Sequence, residues 1–229
     1  MSFVFGTVTG ISIRTAMNPS LNIRKYSLGP LHTNTYVVIE PVSGAAVIVD
    51  PSDEGDRIAG ELKAGRCRPD LILLTHGHAD HIGGVHALRS ATGAPVGIHV
   101  QDRDMLIRPE KNLSLLLGLS VRSGPPEIEL EHGMILPFGE SEIQVIHTPG
   151  HTPGSVCFLM GGCLMSGDTL FRNSVGRADF HGGSFEQLIE SIHTRLMVLD
   201  DAVRICPGHG MESTIGHERK RNPFLQTVS

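Results

Sequence analysis

No stretch of this sequence approaches the ~20 consecutive apolar residues of a membrane-spanning helix, and the N-terminus lacks a charged segment followed by a hydrophobic run and a small-residue cleavage site. Neither membrane insertion nor export is expected. Cysteine is scarce as well. Cys67, Cys157, Cys163 and Cys206 show no CxxC spacing and sit beside apolar residues, which reads as buried thiols in a reducing, cytoplasmic setting and not as a disulfide framework. There is no excess of cations: 19 Lys and Arg against 24 Asp and Glu leave a formal charge of -5, which argues against nucleic acid as a partner and for a small substrate. Low-complexity tracts and linkers are missing too, and 229 residues with 40% hydrophobic and 19% charged composition fit one ordered domain over 1–229. Acidic residues are absent from the first 39 positions, which contain Arg14, Arg24 and Lys25; residues 1–24 read as an N-terminal extension, with a capping strand at the sheet edge.

Short β-rich runs bounded by turn residues come first: YSLGPL, TYVVIE and GAAVIVD. A helix is expected over 56–63, a buried strand over 71–74 and a second helix over 82–90. After PVGIHV, the region 101–126 has helical tendency, and its apolar stretch NLSLLLGLSV reads as a buried helix. Strands resume with MILPFG, EIQVIH, SVCFLM and CLMSGD, with the Gly161-Gly162 pair marking a hairpin. A helix over 184–199, the strand VRIC, the loop PGHG and a short helix over 215–221 follow. Two runs of strands, each followed by helices, predict a layered α/β fold.

The densest chemistry lies in THGHADHIGG, residues 75–84, directly after the apolar LILL. His76 and His78 are two apart in a loop after a strand, so their imidazoles can converge on one ion while Asp80 and His81 point elsewhere. That arrangement suits two adjacent ions, and imidazole and carboxylate are donors that zinc, iron and manganese accept. Gly77 keeps the loop compact, and Gly83 and Gly84 allow the next helix to approach closely. Three more segments, HTPGHTPGS, SGDTLF and PGHG, each place a His or Asp in a Gly/Pro-rich turn beside a strand, where a site can open to substrate.

With VGRADF and the ending ERKRNPFL, these motifs resemble the metallo-β-lactamase superfamily and, within it, the hydroxyacylglutathione hydrolase (glyoxalase II) group, over roughly residues 26–225. The resemblance implies a four-layer αββα sandwich of two mixed β-sheets flanked by helices. It also implies two divalent metal ions per chain, zinc first and iron or manganese as alternatives: one on His76, His78 and His151, the other on Asp80, His81 and His209, with Asp168 bridging. His147 falls outside the family's ligand position and reads as structural. Asp50 matches an acidic position that supports a ligand histidine, or it simply caps a turn at its strand end. Arg177 matches a basic residue that contacts glutathione, or it pairs with Asp179.

The implied chemistry is thioester hydrolysis, as of S-lactoylglutathione. A hydroxide shared by two ions attacks the carbonyl, and a thiol of ordinary pKa near 8.5 departs with little need of protonation, Asp80 being available as a relay. The superfamily's best-known lactamases use a cysteine ligand and lack the bridging Asp, so SGD with no cysteine in any ligand turn argues against antibiotic hydrolysis. Two departures bear on glutathione: only 20 residues follow His209, too few for the helical C-terminal domain of longer members, and Met211 stands where those place a tyrosine. The cluster Arg219, Lys220, Arg221 reads as a solvated helix face. A mononuclear-iron persulfide dioxygenase of the same fold and a metal-binding protein without catalysis are the competing readings.

Overall fold

The computed structural model describes residues 21–226. Six strands form the first sheet in sequence order: β1 (Asn22–Leu28), β2 (Thr33–Ile39), β3 (Ala45–Val49), β4 (Arg68–Leu73), β5 (Val96–His99) and β6 (Ile128–Leu130). The first three pair antiparallel and the rest parallel. The second sheet holds β7 (Ile135–Phe138), β8 (Ser141–His147), β9 (Val156–Met160) and β10 (Cys163–Gly167); the hairpin β11 (Leu170–Phe171) and β12 (Ser174–Val175) stands apart, and β13 (Arg204–Pro207) and β14 (Ser213–Thr214) complete the sheet. Its order is β14-β13-β10-β9-β8-β7, with β10 and β13 parallel and the other pairs antiparallel.

Alternation along the strands explains the layering. Tyr36, Val38, Val47, Val49 and Leu73 point from the first sheet towards Phe138, Val145, Phe158 and Met165 of the second. The intervening residues Val37, Ile39, Ile48 and Ile72 face the other way, onto α1 (Gly55–Ala64), α2 (Ala79–Ile82) and α3 (Val85–Thr92) through Ile58, Leu62, Ile82, Val85 and Leu88. Ile146, Cys157, Leu164 and Ile205 of the second sheet likewise cover Leu188, Ile192 and Ile215 from α4 (Phe185–Ser191), the π turn that extends it, and α5 (Ile215–Arg221). Strands β2 and β3 are buried at every position because both faces are covered, which is why they read as unbroken apolar runs. The expected αββα sandwich of two mixed sheets is therefore the observed one.

Several boundaries differ from expectation. The helix over 82–90 is two helices, broken where Gly83 and Gly84 pass so close to the carbonyls of Ser52 and Asp53 that a β-carbon would collide with them. The 184–199 helix is α only to Ser191, with Ser184 accepting from Gln187 N–H as its cap, and then widens into a π turn over Ile192–Leu196. The buried helix expected within 101–126 is absent. Two 3-10 turns, Arg103–Leu106 and Ser114–Leu117, stand there, and Leu115, Leu116, Leu117 and Leu119 are 54%, 76%, 49% and 51% exposed. Leu113 and Gly118 adopt φ of 67° and 69°, and the buried Asn112 side chain binds Met105 O, Val121 O and Ser114 N–H, holding the segment as a loop.

Gly161 and Gly162, both at positive φ, form the β9–β10 hairpin turn as expected. Cys157, Cys163 and Cys206 are buried, whereas Cys67 is half-buried, and all four are free thiols. Of the expected extension over 1–24, Asn22–Arg24 already belong to β1, and residues 1–20 lie outside the described residues. Among the described residues no helix is long and apolar enough to cross a membrane.

Candidate metal centre

Four loops supply the expected ligands: the one after β4 carries His76 to His81, the one after β8 carries His151, the one after β10 carries Asp168, and the one after β13 carries His209. The fold brings all seven residues together. Three overlapping groups have donor atoms within 4.8 Å of one another: His76, His78 and His151; Asp80, His81 and His209; and, between them, His76, His81 and Asp168. Gly208 permits this closeness, since a β-carbon there would strike the Asp168 carboxylate and lie 2.7 Å from the His81 ring.

Hydrogen bonds outside the cluster decide which ring nitrogens face inward. Asp50 accepts from Thr75 N–H at 2.8 Å and from the Thr75 hydroxyl at 2.6 Å. Having given its proton to Asp50, that hydroxyl can only accept from His76 Nδ1 at 3.1 Å, which leaves the lone pair on His76 Nε2. His151 Nδ1 must donate to the Arg177 carbonyl at 2.6 Å, so in the neutral ring its lone pair also lies on Nε2. These two lone pairs meet at 3.1 Å, and His78 Nδ1 lies 2.9 Å from the second of them. One proton cannot satisfy three such nitrogens; a cation can. Burial, reinforced by the neighbouring histidines, drives His76 well below the usual histidine range and His78 down to about 3, which keeps both in the neutral form that binds metal.

The second group is richer in negative charge. His81 Nδ1 is 2.9 Å from Asp50 Oδ2, so its Nε2 turns towards Asp168 Oδ1 at 3.4 Å and Asp80 Oδ2 at 3.6 Å. Neither separation is a hydrogen bond, and His81 Nε2 and Asp168 Oδ1 are buried without a partner. Burial opposes a charge on His81, but Asp80, Asp168 and Asp50 outweigh it and push its pKa well up. Burial likewise opposes ionisation of Asp80 and Asp168, yet His81 and the adjacent histidines hold both carboxyls below the usual range. Asp168 Oδ2 lies 3.8 Å from His151 Nε2 and 3.6 Å from His209 Nε2, so this carboxylate reaches both groups. Orphaned buried donors and acceptors, facing lone pairs and clustered carboxylates together fit divalent cations.

Asp50 orients His81 and Thr75, in line with the supporting reading and not with a simple turn cap. His147 stays outside the cluster, stacked on His99 with centroids 4.0 Å apart and bonded to Pro153 O. Arg177 lines the cavity over the cluster, but its guanidinium is held by Asp179 at 2.9 and 2.7 Å and lies 4.4 Å over the Phe180 ring. Arg219 is not simply solvated: it donates to the carbonyls of Met197 and Leu199 and pairs with Asp201.

Sequence reasoning missed Thr33, whose hydroxyl donates to Asp80 Oδ2 at 2.9 Å, and Asp102. The buried Asp102 carboxylate accepts from Gly77 N–H at 3.2 Å, the Thr152 hydroxyl at 2.6 Å and Gly154 N–H at 2.8 Å, tying together the two histidine-bearing loops. Neither stands in a ligand-like pattern; Asp102 in QDRD looks like any surface acid.

Comparison with known proteins agrees with this geometry. The chain is 34% identical over 196 residues to "Hydroxyacylglutathione hydrolase GloC" of Haemophilus influenzae, covering 80% of this chain and 89% of that one. It is similar to the crystal structure of "BLEG-1 B3 metallo-beta-lactamase", at 38% identity and TM-score 0.85, covering 89% of this chain and 99% of the other. It is equally similar in sequence, at 38%, to the crystal structure of TTHA1623 "in a di-iron-bound form", with TM-score 0.78 and coverage of 88% and 100%. The family description "Metallo-beta-lactamase superfamily" matches residues 28–209, and with the αββα sandwich and the His/Asp cluster at its loops, the chain belongs to that superfamily.

Proposed function

We propose that this chain is a binuclear metal hydrolase that cleaves thioesters, with S-lactoylglutathione as the first substrate to test. The observation that carries the reading is the pair of three-residue donor groups with the Asp168 carboxylate reaching both. His76, His78 and His151 would hold one ion, Asp80, His81 and His209 the other, and Asp168 both. Zinc is the first choice, and iron or manganese suits the same donors. Bound there, two divalent ions supply Lewis acidity towards a carbonyl oxygen and bring the ionisation of water close to neutral pH.

The chain's own residues do the rest. Asp50, Thr75 and the Arg177 carbonyl lock the ring orientations before substrate arrives, so little reorganisation remains for the reaction itself. Asp80 borders the cavity with its Oδ2 held by Thr33; ionised at rest, it can take the proton given up by the attacking water and hand it on to the departing sulfur. A thiol of pKa near 8.5 leaves readily as its anion, so no strong acid is required. The 38% identical di-iron structure supports two ions, and the hydrolase name of the 34% identical relative supports a thioester.

The test joins metal analysis to activity. Two metals per chain with release of free thiol from S-lactoylglutathione or a simple acyl thioester is the expected result. One iron per chain with oxygen consumption on glutathione persulfide would overturn it, as would hydrolysis of a β-lactam with no turnover of any thioester.

A further inference from the structure

The cavity over the metal cluster has a volume of about 590 Å³ and is continuous with His78, Asp80, His151, Asp168 and His209. That size suits a small organic molecule. Away from the cluster its wall is apolar, made by Leu31, Leu113, Leu116, Leu117, Phe171 and Phe180. The wall is not core that happens to be grazed by solvent: Leu31, Leu116 and Leu117 are 48%, 76% and 49% exposed. A loop that displays leucines to water beside a reactive centre pays a solvation cost that a ligand can relieve.

The charge pattern points the same way. Among the described residues lining the cavity, Arg177 is the one Lys or Arg, and its Nε and Nη2 already donate to the Asp179 carboxylate, which neutralises much of its charge. A tripeptide thiol bearing two carboxylates would find one engaged cation there. An uncharged chain would find a continuous apolar surface.

We propose that the preferred substrate carries an apolar chain beside the scissile bond, seated on the wall formed by Leu31, Leu113, Leu116, Leu117, Phe171 and Phe180. The proposal rests on the hydrolase reading and narrows its substrate class. The chain can belong to the acyl group or to the thiol, since both flank the same bond. Each methylene that leaves water on this wall should improve binding about threefold to fourfold.

The experiment uses the metal-loaded full chain. One arm measures kcat/KM for N-acetylcysteamine thioesters of butanoate, hexanoate and octanoate; a second fixes the acetyl group and lengthens the S-alkyl chain over the same range. Calorimetry with the octyl thioether of N-acetylcysteamine, which cannot be hydrolysed, measures binding apart from turnover. The expected result is a rise of at least tenfold from the shortest to the longest member of one arm, identifying which side carries the chain, with tighter thioether binding than for a butyl analogue. Leu116→Asp and Leu117→Asp, both at exposed positions, should flatten the series and weaken the octyl thioether at least tenfold, while Leu116→Met retains both effects.

Chain-length dependence absent from both arms, with S-lactoylglutathione cleaved faster than any of them and lost on Arg177→Ala, would overturn the proposal and leave the hydrolase reading intact. Chain-dependent thioether binding with no thioester turned over would sink the hydrolase reading instead and support the apolar site. A wild-type dimer that Leu116→Asp dissociates, with thioether binding insensitive to chain length, would show that the wall serves a second copy of the chain and overturn the proposal.

Discussion

Single carboxylates decide how the cluster is charged and where its rings point. Asp168 faces His81, His151 and His209 at 3.4, 3.8 and 3.6 Å, which places its carboxylate between the two donor groups. Replacing it by Asn keeps the shape but removes the anion, and metal analysis of Asp168→Asn should show occupancy of both sites reduced. Full retention of both ions would rule out its bridging place. Asp50 acts one step further out. It contributes no donor to the three groups, yet it accepts from His81 and from the Thr75 hydroxyl that in turn fixes His76. In Asp50→Asn, one side-chain oxygen becomes an amide donor and the orientation of His81 is lost. Competition with a chelator should show metal affinity about 10–100-fold weaker, with the Asp80, His81 and His209 group suffering first.

At the scale of elements, Asp80 and His81 stand on the short α2 and the other ligands on loops, and Asp102 ties two of those loops together. Its carboxylate gathers Gly77 N–H, the Thr152 hydroxyl and Gly154 N–H from the loops after β4 and β8. Truncating Asp102 to Ala strands these donors in a buried place, at about 1–3 kcal/mol each. Urea unfolding of Asp102→Ala should show a loss of about 3 kcal/mol or more; a loss under 1 kcal/mol would mean that water or the backbone replaces the carboxylate. The contrast between what sequence revealed and what it hid lies at this scale. Ligand turns were legible because imidazoles and an aspartate recur in Gly/Pro-rich turns after apolar runs, as in THGHADH and SGD. Buried strands such as AAVIV were legible because burial on both faces removes polar residues altogether. Asp102 and Thr33 were hidden because their roles arise from three-dimensional contact and carry no periodic signature. The 113–119 segment misled for a physical reason: five leucines in seven residues resemble a core helix, and here Leu113, Leu116 and Leu117 border a cavity. The buried Asn112 and the left-handed Leu113 and Gly118 override the apolar pattern.

For the whole molecule, the cluster joins ligand loops from both sheets, so metal and stability are coupled. At free metal about 1,000-fold above its dissociation constant, binding adds about 4 kcal/mol, equivalent to roughly 10 °C in melting temperature for a chain of this size. The histidines also set how that gain varies with pH. Although burial opposes it, the carboxylates around His81 and His209 raise both pKa values above the usual 6.5. In the metal-free fold these two keep protons that the unfolded chain has released, so their contribution is complete below pH 6.5 and is lost as pH rises through their folded pKa values. Burial lowers His76 well below the usual range, His78 to about 3 and His99 to about 4, so these three are neutral when folded and take up protons more easily when unfolded. Their contribution is complete above pH 6.5 and is lost as pH falls through the window from 6.5 towards 4 and below. The metal-free chain should therefore be most stable near pH 6.5. Metal displaces the protons of His81 and His209 and removes the upper limb, so the melting-temperature gap between loaded and metal-free protein should widen from pH 6.5 to 8. Differential scanning calorimetry with and without chelator across pH 5–8 measures both curves. A gap that is constant or narrows towards pH 8 would show that His81 and His209 do not exchange protons for metal.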